Sequence, residues 1–288
     1  MGLARTFETA AKPTQKPARD ALSALLALGR PLVMGILNVT PDSFSDGGQF
    51  TDPATAISRA AVMVKQGADI LDIGAESTRP YDGATPVSTE DEMARLAPVL
   101  PTVIKLGLPV SIDTIKANVA AWALDQGADI VNDVWGLQRD DGMAKLVADR
   151  GVPVIVVCNR EAADPKIDII AEIIAFFSHS LDIAERAGIA RDKIVLDPGI
   201  GFGKTPEQSI TCIARLAEFK RFGLPLLVGA SRKRFINSVM PSQPDERIGG
   251  SIASHLEAVS NGAAIVRVHD VAETVQALRI ASAIGAAR

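Results

Sequence analysis

The stretch QGADIVNDV, residues 126–134, decides the fold. A helical run meets a glycine, a small residue and an Asp follow, and a short β-branched segment then closes on two polar side chains. A glycine placed there suits a helix end with φ > 0, and so short an apolar run reads as a strand buried on both faces. The same grammar recurs as QGADILDIGAES from Gln66, LGLPVSIDT from Leu106, RGVPVIVVCNR from Arg150, FGLPLLVGASRK from Phe222 and NGAAIVRVHD from Asn261. RPLVMGILNVT from Arg30 and DKIVLDPGIGFG from Asp192 are variants of it, which makes eight strands. Between them, apolar residues at helical spacing predict helices over 52–66, 89–105, 116–126, 142–150, 167–187, 206–222, 251–261 and 272–286. Strand alternating with helix demands a parallel sheet. Eight such units in 288 residues predict one α/β (β/α)8 (TIM) barrel over 30–288, with 1–29 forming a tail and a short helix. The rival is an open doubly wound sheet. Against it, no G-x-G-x-x-G follows the first strand, and eight regular units are more than such a sheet usually carries.

Composition narrows the function classes. With 30 basic and 34 acidic residues the net charge is −4, so no field for nucleic acid or an anionic membrane is implied. The apolar fraction is 47% and aromatics only 4%, an aliphatic balance that suits buried parallel strands. Cys158 and Cys212 make neither a disulfide framework nor a metal cluster, and a cytoplasmic setting follows as the default. His179, His255 and His269 fit no zinc spacing; His179 and His255 read as surface or helix-packing residues. Residues 1–20 read as a polar tail. The run ALSALLALGR from Ala21 is too short to span a bilayer, follows Glu8 and Asp20, and lacks a cleavage site. It is expected to cover one end of the barrel. Gly2 with Thr6 matches a loose myristoylation pattern that carries little weight.

In a barrel of this kind the active site lies at the C-terminal ends of the strands. Those ends carry Asn38, Asp72, Glu76, Asp113, Asn132, Asp133, Asn159, Asp197, Ser231, Lys233, Arg267 and His269. Strands often finish on Asp or Asn because turns begin there, which accounts for any one of these but poorly for the whole ring. Buried carboxylates are costly unless something donates to them. A flat heterocycle with an aminopyrimidinone edge would donate to Asp197 and accept from Lys233. The rim adds anion-holding pieces: Asn38, the loop TPDSFSDGG from Thr40, Ser77, Thr78, Arg79 and Pro80, then Arg267 and His269. Such a set suits a diphosphate with Mg2+ bridging its oxygens.

MGILNVTPDSFSDGG from Met34, ESTRP from Glu76, SIDT from Ser111, NDV from Asn132, LDPGIGFGK from Leu196, LVGASRK from Leu227 and RVHDV from Arg267 together resemble the signature set of the dihydropteroate synthases. They stand in family order across about residues 32–271. The resemblance implies a transferase of folate biosynthesis that joins (7,8-dihydropterin-6-yl)methyl diphosphate to 4-aminobenzoate, giving 7,8-dihydropteroate and diphosphate. It implies that Asp113, Asn132, Asp197, Phe202 and Lys233 bind the pterin. Phe44, Thr78, Arg79, Pro80 and Ser231 would bind 4-aminobenzoate. Asn38, Arg79, Arg267 and His269 would bind diphosphate, with Asn38 on Mg2+. Asp113, Lys233, Arg267 and His269 would carry the catalysis. It also implies a homodimer through the later helices, small-molecule partners only, and sulfonamides as competitors.

The chain departs from the family after the fifth strand. Val157 and Cys158 replace a Met-His pair, with Asn159 and Arg160 following, and altered packing is expected rather than lost activity. Ser209 stands where Asn is common. Cys158 is read as a buried thiol at a strand end facing the mouth, without a His to activate it. Trp122 and Trp135 read as packing residues, Trp135 with access to the mouth; Lys204 reads as a neighbour of a helix N-terminus. Other readings are a methyltetrahydrofolate:corrinoid methyltransferase, which would not need the NVTPDSFSDGG loop; a Schiff-base aldolase using Lys233; and a non-catalytic pterin-binding barrel. Sulfonamide sensitivity, including an insensitive variant, stays open.

Overall fold

Successive side chains of a strand point to opposite faces, and here that alternation separates two cores. Leu32, Met34, Ile70, Ile130, Ile155, Val157, Val195, Leu227 and Ile265 form an inner cluster. The residues between them, such as Val33, Leu71, Val131, Val154, Val156, Leu196 and Val266, join an outer cluster against the helices. The computed structural model describes residues 21–40, 52–76 and 87–287.

Eight parallel strands close into a barrel in sequence order, with the last pairing the first. They are β1 (Leu32–Asn38), β2 (Ile70–Gly74), β3 (Val110–Asp113), β4 (Ile130–Asp133), β5 (Val154–Val157), β6 (Ile194–Asp197), β7 (Leu226–Val228) and β8 (Ala263–Val268). The helices are α1 (Ala21–Leu26), α2 (Pro53–Gln66), α3 (Thr89–Leu96), α4 (Leu100–Ile104), α5 (Ala117–Gln126), α6 (Asp141–Arg150), α7 (Ile169–Ala187), α8 (Pro206–Ala214), α9 (Arg234–Val239), α10 (Ile248–Ser260) and α11 (Val271–Ala286). The repeated glycine does what its place predicts: Gly127 ends α5 at φ 109° and its N–H returns to the last turn.

The helix readings at 89–105 and 206–222 are corrected in one respect each. The first is two helices, because Pro98 after α3 has no N–H to continue the ladder. The second tightens after Ala214 into a 3-10 stretch, Leu216–Phe222, whose buried Leu216 and Phe219 stand three apart, the 3-10 period. α9 had no periodicity to announce it.

The N-terminal end of the barrel is closed and satisfied. Leu22 of α1 is buried in the inner cluster, with Leu25 and Leu26 packed against it. The Asp of the G-A-D repeat works here: Asp69 accepts the Val33 N–H at 2.9 Å and pairs with Arg30, and Asp129 accepts the Val110 N–H at 2.9 Å. Each carboxylate thus secures a backbone donor at the start of the strand beside its own.

Candidate active site

At the opposite end the inward positions of several strands turn polar. Asp72 from β2, Ser111 and Asp113 from β3, Asn132 from β4, Asp197 from β6 and Arg267 from β8 all occupy inward-facing places, set by the strand period and the register Gly74–Asp113, Asp113–Asn132 and Val157–Asp197. Arg267 is the hub. Its Nε–H donates to Asp72 Oδ2 at 2.5 Å and its Nη2–H to Asp113 Oδ2 at 2.6 Å. Asn132 Nδ2 donates to the same Asp72 oxygen at 3.1 Å.

Above this floor lies a small open pocket. Asn132, Asp197, Lys233 and Arg267 give it polar walls, and Val157, Ile200 and Phe202 apolar ones. Lys233 Nζ stands 4.1 Å from the centre of the Phe202 ring, a cation–π contact that holds the ammonium at the wall. Asp197 accepts the Gly199 N–H at 2.7 Å. Gly199 can be nothing else: φ is +67° and a Cβ would come within 1.9 Å of the Cys158 carbonyl oxygen.

Burial dominates the acid–base character. It pushes the Asp113 carboxyl up to about 7 against the pull of Arg267, and Asp72 nearby adds to the rise. Burial likewise lifts Asp197 to about 6, opposed by the Gly199 N–H and by Lys233. For Arg267 burial works against the charge, yet Asp72 and Asp113 outweigh it and hold the guanidinium more firmly charged than usual. Asp72 Oδ1, Ser111 Oγ, Asp113 Oδ1 and Asn132 Oδ1 are buried and have no hydrogen-bond partner among the described residues. Orphaned acceptors in a protein interior are rare, and a cluster of them beside a pocket marks where a ligand with N–H donors would be held.

Residues 34–269 match the family described as pterin binding enzyme. A dihydropteroate synthase of Synechocystis sp. is 46% identical over 266 residues, covering 88% of this chain and 90% of that protein. The chain belongs to the dihydropteroate synthase family. Two solved dihydropteroate synthases superpose closely. The one from Clostridium difficile, in the presence of pteroic acid, gives a TM-score of 0.84 at 46% identity and covers 88% of this chain and 97% of its own. The one from Xanthomonas albilineans, with 4-aminobenzoic acid, gives 0.85 at 43% identity over 90% and 94%.

The site residues expected from sequence fall into four groups. Asp113, Asn132, Asp197, Phe202, Lys233 and Arg267 converge on one site. Arg267, expected among the anion-holding pieces of the rim, lies lower, in the carboxylate floor. Ser231 and His269 form a second pair at the mouth: Ser231 Oγ receives the His269 N–H at 3.2 Å and lies 2.9 Å from Nδ1. Asn38 ends β1, half-buried. Phe44, Thr78, Arg79 and Pro80 lie outside the described residues.

Other strand-end residues turn to structural tasks. Asp133 accepts the Trp135 and Leu137 N–H groups, Asn159 accepts the Arg160 N–H, and Glu76 pairs with Lys116 while accepting the Val87 N–H at 3.0 Å. Cys158 does not face the mouth. Val157 pairs in register with inward-facing Asp197, so the next side chain points outward, and Cys158 lies in the outer cluster with its thiol pushed up by burial. Lys204 is buried and donates to the Cys158 and Phe202 carbonyls, both at 3.1 Å.

Sequence reasoning missed the frame around Ser231 and Lys233. Arg232 adopts φ 58°, a conformation a non-glycine residue holds only when clamped. Its N–H donates to Ser251 Oγ at 2.8 Å, its carbonyl accepts from Arg247, and its guanidinium grips Asp270. His255, expected at a surface or a helix contact, is buried; its Nε2 accepts the Ala230 N–H at 3.2 Å, and burial lowers it to about 4, so it is neutral. The pairing Arg232–Asp270 spans 38 positions, and no local pattern could announce it.

Proposed function

We infer that the chain is a dihydropteroate synthase of folate biosynthesis, a transferase that joins the pterin-methyl group of (7,8-dihydropterin-6-yl)methyl diphosphate to 4-aminobenzoate with release of diphosphate. One observation carries the reading: buried acceptors on Asp113 and Asn132, without partners among the described residues, stand beside a pocket shared by Asp197, Lys233 and Phe202. An aminopyrimidinone edge presents an amino group and a ring N–H to such acceptors. Its carbonyl and a ring nitrogen accept from Lys233. Each charge-assisted contact contributes about 1.5–3 kcal/mol.

In the mechanism we favour, the C–O bond between the pterin methylene and diphosphate breaks first. Asp113 in the floor stabilises the positive charge that spreads over the pterin. The arylamine nitrogen then gives its lone pair to the methylene carbon, and its proton passes to diphosphate or water. A weak nucleophile suffices against a cation, so the step calls for no strong base. His269, with Ser231 and Asn38 at the mouth, would hold the diphosphate oxygens; Ser231 would also face the 4-aminobenzoate. Phe44, Thr78, Arg79 and Pro80 complete that pocket in this reading.

The described residues contain no group of three or more His, Cys, Asp or Glu side chains able to hold a metal. The hard amide oxygen of Asn38 fits Mg2+, an ion that takes most of its shell from phosphate oxygens and water. When bound, Mg2+ would neutralise charge on the departing diphosphate. A homodimer accords with apolar side chains exposed on the later helices, Ile280 and Ile284 of α11. No helix among the described residues is long and apolar enough to cross a membrane, and a cytoplasmic setting accords with two unpaired buried cysteines.

Diphosphate release from the pterin substrate, measured with and without 4-aminobenzoate and again with a sulfonamide, tests the reading. Stoichiometric dihydropteroate formation, suppressed by the sulfonamide in competition with 4-aminobenzoate, is expected; pterin binding without turnover would leave only a binding protein.

A further inference from the structure

Asp72 has no role in the mechanism above, yet it is the most completely buried of the floor carboxylates, with a fully inaccessible side chain. Its Oδ2 takes two donors at once, Arg267 Nε–H at 2.5 Å and Asn132 Nδ2–H at 3.1 Å. Both donors, from β8 and β4, line the pocket. We propose that Asp72 is a positioning residue for the pterin site, fixing the plane of the Arg267 guanidinium and the amide orientation of Asn132 from below.

The geometry gives it leverage. Asn132 is an amide with one acceptor and one donor end. Because its Nδ2 is committed to Asp72, its Oδ1 is the end left without a partner among the described residues, ready to accept from a ligand. Without Asp72 the amide has no reason to keep that orientation. The same holds for Arg267, a long side chain on β8 that is tethered at Nε by Asp72 and at Nη2 by Asp113. Two tethers fix a planar fork; one leaves it free to turn about the remaining bond. A freed guanidinium would cover the second oxygen of Asp113, the acceptor meant for the ligand.

There is also a charge effect. Asp113 is faced by Arg267 from β8, Asp72 from β2, Glu92 from α3 and Lys233 from the loop after β7. Glu92 is itself paired with Lys116, and Asp197 across the pocket is faced by Lys233, Arg267 and Lys204. Asp72 and Asp113 share one guanidinium. Removing the Asp72 charge gives Asp113 the whole of Arg267, so Asp113 holds its proton less tightly.

The role rests on the pterin assignment, so wild type and variant are compared with one ligand, a diphosphate-free 7,8-dihydropterin, followed by calorimetry from pH 5.5 to 8. Asp72→Asn is expected to weaken pterin binding 10-fold or more at pH 7.5 and to move the acid limb of affinity to lower pH. The KM for 4-aminobenzoate should stay within about twofold. Wild-type protein that binds no pterin sinks the site assignment itself. A variant with wild-type affinity and an unmoved limb sinks only the role of Asp72. Should Asp72→Asn not fold, wild type still decides: the Arg267 Nε–H resonance, assigned by its loss in Arg267→Lys, should exchange slowly with water both before and after pterin binds. Fast exchange in either state would overturn the proposal.

Discussion

The two ends of this barrel use the same residue type for opposite purposes. At the N-terminal end, Asp69 and Asp129 direct their oxygens to backbone N–H groups of neighbouring strands, and the chain itself consumes their hydrogen-bonding capacity. At the C-terminal end, Asp72 and Asp113 share one guanidinium, and each keeps an oxygen with no partner among the described residues. A satisfied carboxylate stabilises a fold; an unsatisfied one raises the energy of the empty site and lowers it again when a ligand donates. The contrast locates function more sharply than counting acidic residues does, since both ends are rich in Asp.

The largest effect should come from cutting the hub. Arg267→Ala leaves two buried carboxylates without their shared cation, which should cost about 3–5 kcal/mol of stability by denaturant unfolding. Because Arg267 lies in the floor, affinity for diphosphate-free pterin should fall along with diphosphate retention. A loss confined to diphosphate would return Arg267 to the rim.

Asp197→Ala probes the far wall. Pterin affinity should drop roughly 100-fold by calorimetry, about 2.7 kcal/mol, with the circular dichroism spectrum unchanged. Wild-type affinity would remove Asp197 from the site.

Titration sharpens the comparison further. Asp113 is raised to about 7 and Asp197 to about 6 from an ordinary 3.8. Between about pH 4 and 7 the unfolded chain has released protons that the folded site retains, so stability of the ligand-free protein from these groups falls as pH rises through that window. The melting temperature should therefore drop more between pH 5 and 7.5 in wild type than in Asp113→Asn. An equal drop would mean that Asp113 is ionised throughout.

The smallest effect belongs to the other end. Asp129→Ala leaves the Val110 N–H without its acceptor and should cost about 1–3 kcal/mol, with kcat/KM unchanged. Lost activity there would mean that the two ends are coupled and the contrast is false.

Much of this was legible in the chain. The repeat of glycine, Asp or Pro, and short aliphatic strand gave eight strands in register with their helices, because helix ends and buried parallel strands each carry local chemistry. The strand ends also put Asp113, Asn132 and Asp197 in the mouth, while Arg267 was expected at the rim and lies in the floor beside Asp72 and Asp113; the period of two, which sorts inward from outward positions, sets it with them. That period was not applied strictly enough at the fifth strand, where Val157 inward means Cys158 outward. Pro98 and the three-residue spacing of Leu216 and Phe219 were signals too, and they mark the two places where expected helices break or tighten.

Sequence alone determined the barrel, its mouth and the set of polar groups there, since all three follow from local periodicity and from motifs read in order. Only the tertiary structure decided which of those groups are spent on the protein and which are left for a ligand. Arg267 meets Asp72 across 195 positions and Asp113 across 154, and a hydrogen bond between residues so far apart exists only once the strands have closed around a shared interior. Partnership in a buried site is a property of distance and direction in space, and no spacing along the chain encodes either.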